Sequence, residues 1–497
     1  MERKNYTVAV DLGSSNVVVA VAEKLPEGGL ALRCAVTKPV EGVSAGKIEN
    51  IEQVSRAIQE AVDQVEAQMH FRITEAYAGI SGEFVRCARH TDHVFVYDPQ
   101  NGVNRKDVDA LSDRMRNVQA PDDELIMERV PQHYMVDDSQ RVKNPVGSFG
   151  RKLSATFNFI LCHQTPMQRL GMALKRMGIK MLGVTSNALS MPEAVLSADE
   201  KEEGVAVVDL GGGVTDVTVY YGSVVRYIAS IPMGGSAINR DIRTMGVPEK
   251  HVESLKQKYG SAVAELAPED KLIRVNGRTA REAKDILLRN LATVIEARAT
   301  DIVEFVQQEI ADSGYAGKLA YGIVLTGGSA RLKHIDELFR RVTGLEVRIV
   351  DPATEAFAEQ TRDQLADPAL ATVAGILLKG AGLGSCAVVE QPAQPRRVEA
   401  EAEGPAEKAA PTPAWRRPAE PKEKPEFRHV SSRATEASGA APAEPRPAEE
   451  APAEDPVEEP AQRQAPEPRR KRDWGSIFQK TFDRINQTFS AAEDEEI

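Results

Sequence analysis

The 497-residue chain is too long for one ordinary domain, and 42% apolar content can fill two or three cores, yet 16 of its 29 prolines fall after Glu390 and its net charge is −12, so part of it is not globular. Four scattered cysteines, Cys34, Cys87, Cys162 and Cys386, include no CxxC pair and exclude a zinc finger or a disulfide scaffold; a reducing cytosol fits best. No stretch approaches the ~20 apolar residues of a spanning helix, and the N-terminus lacks a leader pattern, so any membrane contact is expected from outside.

In chain order, residues 6–10 alternate into a strand, Asp11-Leu-Gly-Ser-Ser-Asn16 forms a turn, and 17–22 is a β-branched second strand. A Walker loop or dinucleotide fingerprint would need a helix after the glycines, and none is expected there. An apolar stripe predicts a helix over 48–69, and 76–80 a short strand. From 84 to 162 the pattern becomes an inserted α+β module, with a strand near 93–97 and a helix over 105–118. His70, His90, His93, His133 and His163 lack metal-ligand spacing and read as solvated or hydrogen-bonded. Helices are expected over 167–177, stopped by Gly178, and over 186–196, the latter crossing between two halves.

Residues 205–221 repeat the opening pattern: a β-branched strand, Asp209-Leu-Gly-Gly-Gly213, then a second alternating strand. Glycines at such a turn let backbone N–H groups approach an anion, although a purely structural hairpin would look similar. The two Asp-Leu-Gly turns together imply two similar halves facing each other. Ser236 is a suitable N-cap for a helix from Ala237. Further helices are expected at 252–260 and from Thr279 to about Asp312, after a strand at 271–275 and an Asn276-Gly277 turn. A buried strand at 322–326 runs into Gly327, Gly328 and Ser329 before a helix at 332–342, a geometry open to an anion or ribose but equally to a tight turn. Residues 370–379 form a second crossing helix.

Residues 390–468 are Pro, Ala, Glu and Arg with almost no branched apolar side chains, a composition too poor in burial to offset chain entropy. Such a disordered tether would separate its ends by about 50 Å. Beyond it, Trp474, Ile477, Phe478, Phe482, Ile485 and Phe489 fall within roughly 140° of a helix and follow the basic run Arg469-Arg-Lys-Arg472. This amphipathic helix over 469–490 suits an anionic inner-membrane leaflet, or alternatively a partner's apolar groove.

The two hairpins, two crossing helices and Thr326-Gly-Gly-Ser329 turn resemble the actin-like ATPase fold, and within it the FtsA family of bacterial cell-division proteins. Val130-Pro-Gln, Asn144-Pro-Val-Gly147 with Gly150-Arg, the stretch from Val252-Glu to Lys256, and the tail helix carry the closer match, which covers most of 5–385 and the tail. The fold class so implied is α/β, with two similar domains around a nucleotide cleft. The first comprises 5–84 and 163–203, the inserted subdomain 85–162, the second domain 204–236 and 319–388, and its own subdomain 237–318.

The resemblance implies ATP and Mg²⁺ as cofactors. Asp11, Gly13, Ser14, Ser15, Asn16, Asp209, Gly211, Gly212 and Gly213 would hold phosphates, with Asp11 and Asp209 orienting the metal through water. Gly234, Gly235, Glu253, Lys256, Gly327, Gly328 and Ser329 would hold the adenosine. It further implies an adaptor at the division septum that assembles into filaments and anchors the tubulin-like protein FtsZ to the cytoplasmic face of the inner membrane. Its subdomain at 237–318 would bind the FtsZ C-terminal peptide through Arg298 and Arg289, the inserted subdomain would contact itself and other division proteins, and the tail helix would bind anionic lipid. No nucleic-acid partner is expected. Family members often have Lys at Asn16 and Thr at Val214, and Thr215 would face the other way. These departures imply nucleotide binding with slow or absent hydrolysis and no catalytic residue. A small-molecule kinase and a pilus-assembly scaffold on the same fold are the alternatives.

Overall fold

The computed structural model describes residues 5–390 apart from 139, 276–282 and 353; the expected tether, the tail helix with its six apolar residues, and the Asn276-Gly277 turn lie outside the described residues. Valine-rich hairpins supply the frame. Tyr6–Leu12 pairs antiparallel with Asn16–Lys24, which pairs antiparallel with Leu30–Pro39. Glu75–Ile80 and then Lys180–Ser186 add in parallel on the other side. The second hairpin, Val205–Leu210 with Thr215–Tyr221, repeats this design with Val224–Ile231 outside it and Ile323–Thr326 and Val347–Ile349 in parallel. The two five-stranded sheets therefore share one strand order and one set of strand directions, as the repeated Asp-Leu-Gly turn implies.

Both faces of the second hairpin are covered. Val205 and Val207 join the core around the first sheet, whereas Ala206, Val208 and Leu210 join the core of the second, so the strand is apolar on both faces up to Asp209. Helix Ile51–Met69 begins at Asn50, whose side chain accepts from the N–H groups of Glu52 and Gln53, a cap worth about 1 kcal/mol. It buries Val54, Ile58, Ala61, Val62 and Val65 against the first sheet. The crossing helices Asn187–Val195 and Ala371–Leu383 lie back to back, and a Cβ on Gly375 would collide with the Ser190 carbonyl. Small residues on that face are a condition of the close approach.

The inserted module is a four-stranded antiparallel sheet, ordered Gln140–Val142, Glu124–Val136, Lys152–His163 and Val85–Phe95. Helix Arg105–Arg116 covers one face through Leu111 and Met115, and a capping box between Asn104 and Asp107 starts it. The module thus has a core of its own, as an independent folding pattern requires. No single helix among the described residues is long and apolar enough to cross a membrane.

Three expected elements differ. The long helix runs Leu288–Asp312 and does not start at Thr279, because Lys284–Leu287 pairs with Leu272–Val275, burying Ile286 and leaving Lys284 and Asp285 exposed. The chain leaves Thr326 through Gly327, at φ 92°, into a single 3-10 turn, Gly328–Arg331, and the α-helix begins only at Ile335. No α-helical N-terminus therefore meets the Gly327 turn. Finally, the helix after the second hairpin begins at Gly235 with Gly234 as its cap, which places Ser236 inside the first turn.

Candidate functional site: a cleft between two glycine hairpins

Each hairpin closes on its own backbone. Gly13 N–H donates to the Asn16 carbonyl at 3.0 Å, and Gly211 N–H to that of Val214 at 3.0 Å. The two tips meet: a Cβ on Gly212 would strike the Ser15 hydroxyl, and one on Gly213 would lie 2.5 Å from the Ser14 hydroxyl. Only glycine permits this approach. Ser14 Oγ accepts from Gly46 N–H at 3.1 Å, while Ser15 Oγ lies 3.4 Å from Ser236 Oγ. The expected phosphate residues Asp11, Gly13, Ser14, Ser15, Asn16, Asp209, Gly211, Gly212 and Gly213 are thus brought together by the two turns.

Behind the tips sit three aspartates. Asp11 accepts from Asn187 Nδ2 at 3.3 Å, and Asp209 accepts from Thr372 Oγ1 at 2.7 Å. Asp216 accepts from Ser81 Oγ at 2.5 Å and also from Ser230 Oγ. Burial, followed by the charge of Asp209, pushes Asp11 and Asp216 up to about 7, and burial raises Asp209. Carboxylates crowded like this favour a cation or a proton. No three acidic, imidazole or thiol groups among the described residues converge for direct metal ligation.

The raised values have a consequence for stability. Between 3.8, the ordinary aspartate value, and about 7, the folded chain keeps protons that the unfolded chain has released. The stability contributed by these groups is therefore greatest at the acid end of that window and falls as pH rises to about 7. Asp216→Asn removes one such group while keeping its shape. In metal-free protein the variant's stability should gain on the parent's between about pH 5 and 7, by at most about 1.4 kcal/mol per pH unit, with its thermal midpoint rising accordingly, and level off above. Parallel thermal melts across that range check it; a constant difference would contradict the ionisation of Asp216.

The residues expected to hold an adenosine also assemble. Gly235 N–H donates to Gly211 O at 3.0 Å and Ser236 N–H to Gly212 O at 2.7 Å, tying the helix start to the second hairpin. Ser329 Oγ donates to Gly211 O at 2.9 Å, which brings Gly327, Gly328 and Ser329 to the same edge. Gly327 must be glycine, since a Cβ there would strike the Asp209 carboxylate and Leu210 O. The buried Lys256 ammonium donates to Gly235 O at 3.2 Å and pairs with Glu253 at 2.9 Å. Burial pushes Glu253 up, but Lys256 and Asn239 more than offset it and hold the carboxyl below its ordinary range.

Val214 is buried, and Thr215 Oγ1 points inward to donate to Met233 O at 2.8 Å, so the hydroxyl one residue along does not face the cleft. The two arginines expected to bind an acidic peptide are placed differently. Arg298 is 5% exposed and pairs with Asp241 at 2.6 Å and Asp301 at 3.2 Å; its charge is committed inside the subdomain. Arg289 is the more accessible, pairing with Glu269 at 2.8 Å. Sequence reasoning missed Asp216, Asn187, Thr372 and Ser81. The signal for Asp216 lay in the hairpin register, where Leu210 faces Thr215 and Asp209 faces Asp216.

The sequence model of the family described as "Cell division protein FtsA" matches residues 206–375, and that of the SHS2 domain inserted in FtsA matches 82–161. The cell division protein FtsA of Pseudomonas aeruginosa is 30% identical over 374 residues, covering 75% of this chain and 88% of the relative. That of Escherichia coli K12 is 29% identical over 385 residues, covering 76% and 90%. Among solved structures, a chain of a PilM–PilN type IV pilus biogenesis complex superposes with a TM-score of 0.51 at 14% identity, over 75% of this chain and 98% of that one, a likeness of fold alone. Twin sheets, apposed glycine hairpins and an inserted four-stranded module are an actin-like ATPase arrangement, and with these relatives the chain belongs to the FtsA family of cell division proteins.

Proposed function

We propose that this protein is an ATP-binding adaptor that assembles into filaments and tethers FtsZ to the cytoplasmic membrane at the division site. The observation that carries the reading is the meeting of two glycine turns over three buried aspartates, in a chain of this family. Backbone N–H groups of the two turns and the hydroxyls of Ser14 and Ser15 would hold the phosphates. Asp11 and Asp209 would orient hydrated Mg²⁺, and Glu253, Lys256 and the Gly327 turn would flank the adenosine. The metal would supply charge neutralisation across the phosphates. With Asn16 and Val214 in place of charged and hydroxyl side chains, the cleft suits binding better than turnover, and phosphate release should stay below about 1 per second.

The tail is proposed as the lipid anchor, the inserted module as a surface for self-association and other division proteins, and the subdomain around the long helix as the FtsZ site. Flotation with anionic vesicles tests the adaptor as a whole. The full chain should carry FtsZ, or its C-terminal peptide, to the vesicle fraction, and a chain truncated before Arg469 should leave both in solution. Unchanged flotation after truncation would refute the tether.

A further inference from the structure

We propose that the cleft and the inserted subdomain are mechanically coupled, so that metal–nucleotide binding repositions the subdomain through Asp216 and Asp209; this rests on the nucleotide-binding reading above. Three hydrogen-bonded routes leave the aspartates and end on the module. The shortest is Ser81. It donates to Asp216 at 2.5 Å and is the last residue before Gly82, after which the chain enters the module's strand Val85–Phe95. Gly82 is packed against Phe84 and the Ala45 carbonyl, so a pull on Ser81 reaches that strand directly.

The second route is the edge strand Val224–Ile231. Ser230 at one end donates to Asp216. About 13 Å away, at the rise of an extended strand, its other end is gripped by the module. Gln132 Nε2 donates to Val225 O at 2.9 Å, Asn158 Nδ2 donates to Arg226 O at 2.9 Å, and the Arg226 guanidinium donates to Gln132 O at 3.0 Å. Asn158 is buried at this joint. The third route is the crossing helix Ala371–Leu383. Thr372 binds Asp209, and Lys379, seven residues and nearly two turns later on the same face, pairs with Glu128 of the module at 2.9 Å.

A strand and a helix transmit displacement as rigid bodies, and both are anchored at each end by specific partners. A hydrated metal oriented by Asp11 and Asp209 would share the Asp209 carboxylate with the Thr372 hydroxyl, and its charge would act on neighbouring Asp216, which holds the hydroxyls of Ser81 and Ser230. All three routes therefore respond to one event.

Hydrogen exchange and calorimetry on the full chain test the coupling. Mg·ATP should change backbone exchange by at least about threefold within 124–136 and 224–227, the end of the edge strand away from the glycine turns. Coupling is reciprocal, so Gln132→Ala with Asn158→Ala, both outside the cleft, should shift the Kd for Mg·ATP at least about threefold. Glu128→Gln, at a half-exposed position, severs only the helix route and serves if the double variant fails to fold. Nucleotide binding with unchanged exchange, and unchanged Kd in the folded variants, overturns the coupling alone. Failure of the parent protein to bind Mg·ATP overturns the nucleotide reading and the coupling with it.

Discussion

Gly213→Val should lower nucleotide affinity at least about a hundredfold, roughly 2.7 kcal/mol, while moving the thermal midpoint of ligand-free protein by only a few degrees. The reason is local. A Cβ at this position lies 2.5 Å from Ser14 Oγ and 2.6 Å from its Cβ, so a branched side chain wedges the two hairpins apart and takes the space in front of their N–H groups. The backbone at Gly213 is not left-handed, so the turn itself tolerates a side chain. The two cores remain packed on either side, because the strands flanking the turn bury Val205, Val208, Val217 and Val219 away from it. Calorimetric titration with Mg·ATP beside a thermal melt checks both halves of the expectation. Gly171→Ala, in helix Gln164–Arg176 with only an ordinary contact to Met181, is the control. Retained affinity in Gly213→Val would mean that phosphates do not lie between these turns.

What was legible in the sequence follows from how local each signal is. The hairpins, the crossing helices and the glycine stops are written in residue type within ten or so positions, and Val205–Leu210, Thr215–Tyr221 and Ala371–Leu383 appear close to where the pattern puts them. Lys284–Leu287 was not legible, because four residues beside a strong helical run become a strand only through their partner Leu272–Val275. The same holds in the site. Asp11 and Asp209 announce themselves beside glycines. Thr372 and Asn187, which bind those aspartates from 163 and 176 residues away, have no local signature at all. Asp216 lies between these cases, since hairpin register alone sets it opposite Asp209.

Arg298→Ala should destabilise the subdomain by about 3–5 kcal/mol, the usual cost of stripping one partner from a buried ion pair, and lower its unfolding midpoint by more than about 10 °C. A basic residue on a long helix reads from sequence as a groove cation. Folding turns it inward instead, because position 298 lies on the face that packs helix Leu288–Asp312 against helix Gly235–Thr244, where Asp241 waits. The same ion pair thus staples the helix whose first residue, Gly235, borders the cleft, and loosening it should weaken nucleotide binding as a secondary effect. Arg298→Lys keeps the charge, loses the forked geometry, and should recover part of the loss. Arg289→Ala, by contrast, removes a partly exposed pair with Glu269 and should cost less than about 1 kcal/mol. If an acidic FtsZ peptide docks on this helix, Arg289→Ala should weaken its capture without changing the melt, whereas Arg298→Ala should lose capture only together with the fold. A folded Arg298→Ala protein with the parent's midpoint and no peptide binding would return Arg298 to the interface.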